Sequence, residues 1–437
     1  MNLKKFSLII VTALVLLNAV ACGQQSTPVV EQSTPVVEQP TQAVQTAAST
    51  QVATAAPDVH IGSVWPITGA DAALGTVSDH GADLAVKEIN DAGGIKSLGG
   101  AKLVLEKGDA QSDPAVTTTE VERIASMGNI SAFIGVQASA LTLAATEVTE
   151  RDKIPWVTYS VADKLVQRGF KYIFLISPLT SYYGKAPVDF VDVEYKKLNL
   201  PTPKVAILYE DSAYGTGVSA FIRAEAKLIG QNIVLDESYP AGETDASPQV
   251  LKVKQSGAQI LYLASYLTDA VLLQRTLNEQ GVDITVIGCG VGHTMNEFAQ
   301  TLGKGSDYVY VAESSDASAK IPGQEALATE YEATYGGTTL PLQAVGGYTL
   351  VYVVKAALEA AGSADPEAVR NALAGLDLTT GPASWTMSRR LKFNADGSNM
   401  YGVMGIFMWK GGNLGLVYPP DLATSPLVFP PPPLSTR

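Results

Sequence analysis

The sequence predicts an α/β protein built from two doubly wound, parallel-sheet lobes. Short apolar runs alternate with helix-period stretches from residue 59 onward, the pattern of repeated βαβ units. These runs outnumber the strands of one ordinary sheet. The length, 437 residues, and an apolar content of 46% allow two full cores.

The expected strands are Val59–Val64, Lys102–Glu106, Ala132–Gly135, Pro155–Thr158, Val205–Tyr209, Ile233–Leu235, Ile260–Ala264, Ile284–Ile287 and Tyr308–Val311. Helical periodicity lies between them, near 77–91, 114–127, 140–151, 182–198, 214–229, 246–256, 267–280 and 294–301. Further helices are expected near 323–335, 341–361 and 365–374, the last opened by Asp365-Pro366. Two strands, Leu391–Phe393 and Tyr401–Trp409, flank a turn at Asp396-Gly397. From Pro419 the chain is Pro-rich and is expected to run extended, outside the core.

The stretch Ile130–Ala162 carries the chemistry. An apolar strand ends at Gly135, the crest Gln137-Ala138-Ser139 follows, and a helical stripe of Leu141, Leu143, Ala144, Ala145 and Val148 begins. Ser139 is placed as the N-cap of that helix. The next strand ends in a second polar crest at Ser160. Open α/β sheets bind ligands beyond their strand carboxyl ends. Free N–H groups and the positive end of a helix dipole suit an anionic ligand group there.

Only 17% of residues are charged and the formal net charge is −13, which argues against non-specific nucleic-acid binding. At the N-terminus, Lys4 and Lys5 precede a mostly apolar run from Phe6 to Val20, too brief for a comfortable membrane span. It ends Ala19-Val20-Ala21-Cys22, which resembles a bacterial lipobox, with Ala19 where Leu is usual. Residues 1–21 are therefore expected to be a lipoprotein signal peptide and Cys22 the lipidated residue. Residues 22–57 form an expected disordered tether, in which Ser26-Thr27-Pro28-Val29-Val30-Glu31-Gln32 recurs at 33–39. No other stretch reaches about 18 continuous apolar residues. Cys289, the other cysteine, sits between glycines in an apolar run and reads as a buried thiol.

Several motifs in order give the chain from about Val59 to Val417 a resemblance to the type I periplasmic binding proteins. They are Pro66-Ile67-Thr68-Gly69, Ile89-Asn90-Asp91-Ala92-Gly93-Gly94-Ile95, Asp109 with Asp113-Pro114, and Asp211-Ser212-Ala213-Tyr214-Gly215. The branch it looks most like is the branched-chain amino-acid receptors of bacterial ABC importers. The resemblance implies two lobes joined by three hinge crossovers. One lobe would span 58–178 plus 314–388 and the other 179–313 plus 389–418, leaving 419–437 as the tail. It also implies a ligand carboxylate held by Ser139 and by the crest Ser160, Val161 and Ala162, with Tyr214 and Tyr266 as aromatic walls. The implied partners are a small carboxylate-bearing solute and the membrane permease of an ABC importer, and the implied protein is an extracytoplasmic monomer. A sensory role beside a membrane signalling partner is the alternative. The family's acid for a ligand ammonium falls on Gly290 here, so either Asp211, Asp269 or Glu313 replaces it or the ligand lacks that ammonium.

Enzyme chemistry has little support. There is no Walker A motif, and Gly288-x-Gly290-x-Gly292 is not the dinucleotide fingerprint. His60, His80 and His293 show no metal-ligand spacing, and no Gly-x-Ser-x-Gly elbow occurs. Neither a cofactor nor a metal is expected.

Overall fold

The computed structural model describes residues 56–315, 321–336 and 340–437. Cys22, the leader and most of the tether lie outside the described residues.

The first sheet contains β1 (Val59–Trp65), β2 (Leu103–Asp109), β3 (Ile130–Gly135), β4 (Trp156–Thr158) and β5 (Ile173–Leu175). Its order is β2-β1-β3-β4-β5 and every pairing is parallel. All six residues of β3 are buried, because helices cover both faces. The helices threaded through this half are α1 (Ala72–Asp91), α2 (Pro114–Ala125), α3 (Ser139–Asp152) and α4 (Lys164–Gln167). Asp113 starts α2 by accepting from the Ala115 and Val116 amides, with Pro114 in the first turn, where no N–H is needed.

The chain then crosses into the second half. There α5 (Thr180–Lys197), β6 (Lys204–Glu210), α6 (Ala213–Ile229), β7 (Asn232–Tyr239), α7 (Ser247–Ser256), β8 (Ile260–Ala264), α8 (Leu267–Glu279), β9 (Thr285–Cys289), α9 (Asn296–Leu302) and β10 (Tyr310–Glu313) follow. It returns to the first core with α10 (Gln324–Tyr335), α11 (Leu342–Ala361) and α12 (Pro366–Gly375), then the ribbon β11 (Asp377–Leu378) and β12 (Leu391–Lys392). A third crossing leads to β13 (Gly405–Lys410) and β14 (Asn413–Tyr418). The second sheet has the order β14-β13-β10-β9-β8-β6-β7, with β13 and β14 antiparallel at one edge. This is the two-lobe, three-crossover architecture expected.

Helix α11 is long and apolar enough to cross a membrane on length and composition alone, yet 67% of its most apolar window is buried. It packs backbone to backbone against α1. A Cβ on Gly81 would sit 1.9 Å from the Ala344 carbonyl, and one on Gly347 equally close to that of Ser78. Its apolarity therefore serves the first core.

Three expectations about the late chain change. Leu391 and Phe393 join the first core, Phe393 lying edge-on to Phe174 with ring centres 5.1 Å apart. The pairing with the second sheet starts only at Gly405, well past residue 389. The tail is also not outside the core. Phe429 packs on Phe190, Tyr195 and Tyr310, and the Tyr310 hydroxyl donates to the Val428 carbonyl. Proline fixes the path of the chain but does not stop an aromatic between prolines from finding an apolar face.

Candidate functional site

The carboxyl ends of both sheets open on one cleft, at the points where strand order reverses, between β1 and β3 and between β6 and β8. The space is about 520 Å³, including its mouth to solvent. From the first half it is lined by Gln137, Ser139, Tyr159, Val161 and Ser177. Tyr183, Tyr214, Tyr266, Gly290 and Glu313 line it from the second.

Ser139 does not cap α3. Ala138 holds the cap position with extended backbone, and Ser139 is the first helical residue. Its side chain is 1% exposed, and its Oγ has no protein partner. A buried hydroxyl without a partner is costly unless something else satisfies it. It lies at the positive end of a 14-residue helix. An oxyanion on a solute would satisfy both.

The second crest is arranged differently from expectation. Ser160 Oγ is tied to Thr142 Oγ1 and donates to the Gln137 carbonyl at 2.8 Å, while its amide donates to Thr158 Oγ1 at 3.0 Å. Ser160 thus braces the first crest from behind and offers the cleft neither donor. Ala162 is buried with Leu165, Ile173 and Leu175. Of the three residues, only Val161 faces the cleft. A polar crest does not reveal which way each side chain points. Trp65 is core, its Nε1 donating to Ser63 Oγ at 2.8 Å.

Tyr214 and Tyr266 stand side by side with ring centres 5.2 Å apart. Tyr214 is placed by the start of α6, where the Ser212 hydroxyl accepts from the Tyr214 amide at 3.1 Å and donates to Glu210. The Tyr214 hydroxyl is buried without a partner. Tyr266 packs on the core of each half.

Near these rings is a group of acids, of which sequence reasoning named Asp211 and Asp269 but not Glu210 or Asp71. Glu210, fully buried at the end of β6, has its carboxyl pushed up to about 8. Burial is the main cause, opposed by the Ser212 bond and reinforced by Asp71, Asp269 and Asp211. Asp71, at the start of α1, is raised to about 6 by burial and by Asp269. Neither Asp211 nor Asp269 lines the cleft. Their carboxylates accept from the loop amides of Ala241 and Gly242.

Glu313 does line it. Its Oε1 accepts from the Tyr183 hydroxyl at 2.7 Å and from the Ser314 hydroxyl at 3.0 Å. Burial pushes its carboxyl up, against the pull of the Ser314 amide, the two hydroxyls and the Ser315 amide. Gln343, at the start of α11, reaches the same space, its Nε2 donating across the cleft to Thr294 Oγ1 at 3.1 Å. The Thr294 hydroxyl spends its own hydrogen on the Val291 carbonyl, so Gln343 must present nitrogen to it. That leaves the Gln343 Oε1, buried and unpartnered, as an acceptor. Only Glu313 of these two could be named from sequence, as a substitute acid. Gln343 lies far along the chain and gives no local signal. Among the described residues no cluster of metal-ligating side chains occurs.

A family model described as periplasmic binding protein matches residues 58–413. The chain belongs to the periplasmic binding protein family. The Leu/Ile/Val-binding protein homolog 8 of Brucella melitensis is 34% identical over 399 residues, covering 88% of this chain and 96% of that protein. The branched-chain amino acid transporter substrate binding protein LivJ of Streptococcus pneumoniae, solved with isoleucine, is 25% identical with a TM-score of 0.71. That match covers 82% of this chain and 97% of LivJ. The leucine binding protein LivK of Thermotoga maritima shares the fold, with a TM-score of 0.72 at 22% identity over 83% of this chain and 100% of that one. As a periplasmic binding protein of the ABC-importer type, the chain works outside the cytoplasm and is a solute binder rather than an enzyme.

Proposed function

We propose that the cleft binds a small carboxylate-bearing solute, a branched-chain or other hydrophobic amino acid or a related amide, and hands it to the membrane permease of an ABC importer. The observation that carries this is the Ser139 hydroxyl, buried and unpartnered at the start of α3. The solute carboxylate takes that hydroxyl and the neighbouring helix amides, with Val161 and the two tyrosines against its apolar part. The names of the relatives, which include isoleucine-bound LivJ, support the same solute class. The crossovers between the two halves act as the hinge.

Ser139→Ala tests this. Loss of one charge-assisted hydrogen bond should weaken L-leucine or L-isoleucine binding by about 1.5–3 kcal/mol in a calorimetric titration. The unliganded melting temperature should not fall, because that hydroxyl bonds to nothing in the protein. Unchanged affinity in the variant would contradict the assignment.

The chain is further proposed to be tethered to the outer face of a membrane by lipid on Cys22. Cys22→Ser should move the protein from the membrane fraction to the soluble fraction or block its maturation. Wild-type levels in the membrane fraction would rule the anchor out.

A further inference from the structure

A side-chain hydrogen bond joins the two halves across the cleft. Gln343 Nε2, at the start of α11, donates to Thr294 Oγ1, in the turn after β9, at 3.1 Å. Each residue is 4% exposed. The direction of the bond is fixed, because the Thr294 hydroxyl and amide both donate to the Val291 carbonyl, at 3.0 and 3.2 Å. Gln343 borders the solute space, whereas Thr294 does not line it.

Neither end of this bond can follow the other when the halves part. In the second half, Gly292 lies so near the end of β8 that a Cβ on it would sit 2.1 Å from the Ser265 carbonyl oxygen. The His293 ring fills the space over Gly288, 2.2 Å from where a Cβ would stand there. The His293 carbonyl accepts from Trp409 Nε1 at 2.6 Å. In the first half, a Cβ on Gly346 of α11 would sit 2.1 Å from the Tyr159 ring. Parts packed this closely move as rigid bodies. Opening the cleft therefore breaks the bond instead of stretching it. A hydrogen bond closed in a dry site is stronger than in water, and a buried partner left without it is costly.

We propose that Gln343 and Thr294 form a latch that sets how long a solute stays bound, whatever its side chain. Thr294 is a positioning residue, acting through Gln343 on the closed form without touching the solute. Release needs the halves to part, so the bond adds to the barrier for leaving and not to the barrier for entering. This rests on the reading of the cleft as the solute site and assigns the residues that hold it shut.

The test measures association and dissociation rates of L-leucine, L-isoleucine and L-phenylalanine by stopped flow. Thr294→Val should speed the dissociation of each one that binds by the same factor, on the order of 10-fold, with association within about 2-fold of wild type. Thr294→Ser keeps the hydroxyl and should stay near wild type. In a Gln343→Ala background, Thr294→Val should change nothing further, a result that mere weakening of the turn would not give. Gln343→Ala alone should also speed dissociation, a check that stands even if Thr294→Val does not fold. Wild-type dissociation in either single variant, a factor that differs among solutes, or a Thr294→Val effect that persists undiminished without Gln343 would overturn the latch. If none of the three solutes binds the wild type, the solute reading falls by itself and the latch is judged without solute. Spin labels at Met127→Cys and Leu228→Cys, exposed positions on the two halves, are then compared in a Cys22→Ser chain. The separation of this structure should be less populated in Thr294→Val than in wild type. Identical distance distributions, or a wild type that never shows that separation, would overturn the latch.

Discussion

Gly290→Ala should destabilise the unliganded protein by about 2–4 kcal/mol and abolish solute binding at ordinary concentrations. Gly290 has φ +90° and ψ −152°, a region that residues with a Cβ scarcely visit. Strain there costs roughly 1–3 kcal/mol. The new methyl would also press on the Tyr214 hydroxyl at 2.9 Å and the Tyr183 ring at 3.2 Å. Both rings belong to the buried core of the second half and have little room to move. Relief would come from displacing Tyr183, which would loosen Glu313, or Tyr214, which would narrow the cleft. Chemical denaturation and a calorimetric titration of the same variant measure the two effects. A variant within about 0.5 kcal/mol of wild type with solute affinity retained would show that the turn after β9 is not what shapes the cleft.

The second large effect is a loss of stability as pH rises, traceable to Glu210. Burial pushes its folded carboxyl up to about 8, from the ordinary 4.5 of a glutamate. A carboxyl raised on folding contributes stability that is fully present below about pH 4.5 and lost as pH rises through about 8. Across that window the folded protein keeps a proton that the unfolded chain has released, at a cost on the order of a few kcal/mol by the top. Asp71, raised to about 6, acts in the same direction over a lower and narrower window. Glu210→Gln mimics the protonated acid. Its melting temperature should match wild type near pH 4.5 and exceed it increasingly from pH 6 to 9. Melting curves for the two proteins that run parallel over that range would mean that Glu210 sheds its proton at no cost to the fold.

The fold was legible because its signals are local and repeated. Buried strands such as Ile260–Ala264 appear as unbroken apolar runs, and helix starts such as Asp113-Pro114 and Asp365-Pro366 carry their own caps. The omissions have physical causes. β5 is only three residues long, too short to show any period. β14 follows a two-residue turn at Gly411-Gly412, both with positive φ, a hairpin signal that was present in the sequence and not used. At the site, strand-end logic reached Ser139, and the family resemblance added Val161, Tyr214 and Tyr266; all four line one cleft. Strand-end logic could not separate Ser139 from its neighbour Ala138 as the cap, and that single position decides whether the hydroxyl serves the helix or faces the cleft. Nor could it show that Ser160 turns back to brace the first crest. Tyr183, Glu313 and Gln343 arrive from α5, β10 and α11, brought together by the crossovers rather than by any local pattern.

A crystal structure of the wild-type protein grown with L-leucine tests the central claim most directly. The account predicts one leucine between the two sheets, its carboxylate on Ser139 Oγ and its side chain against Val161 and Tyr266. Leucine seated outside this cleft, or seated within it with its carboxylate away from α3, would contradict the account.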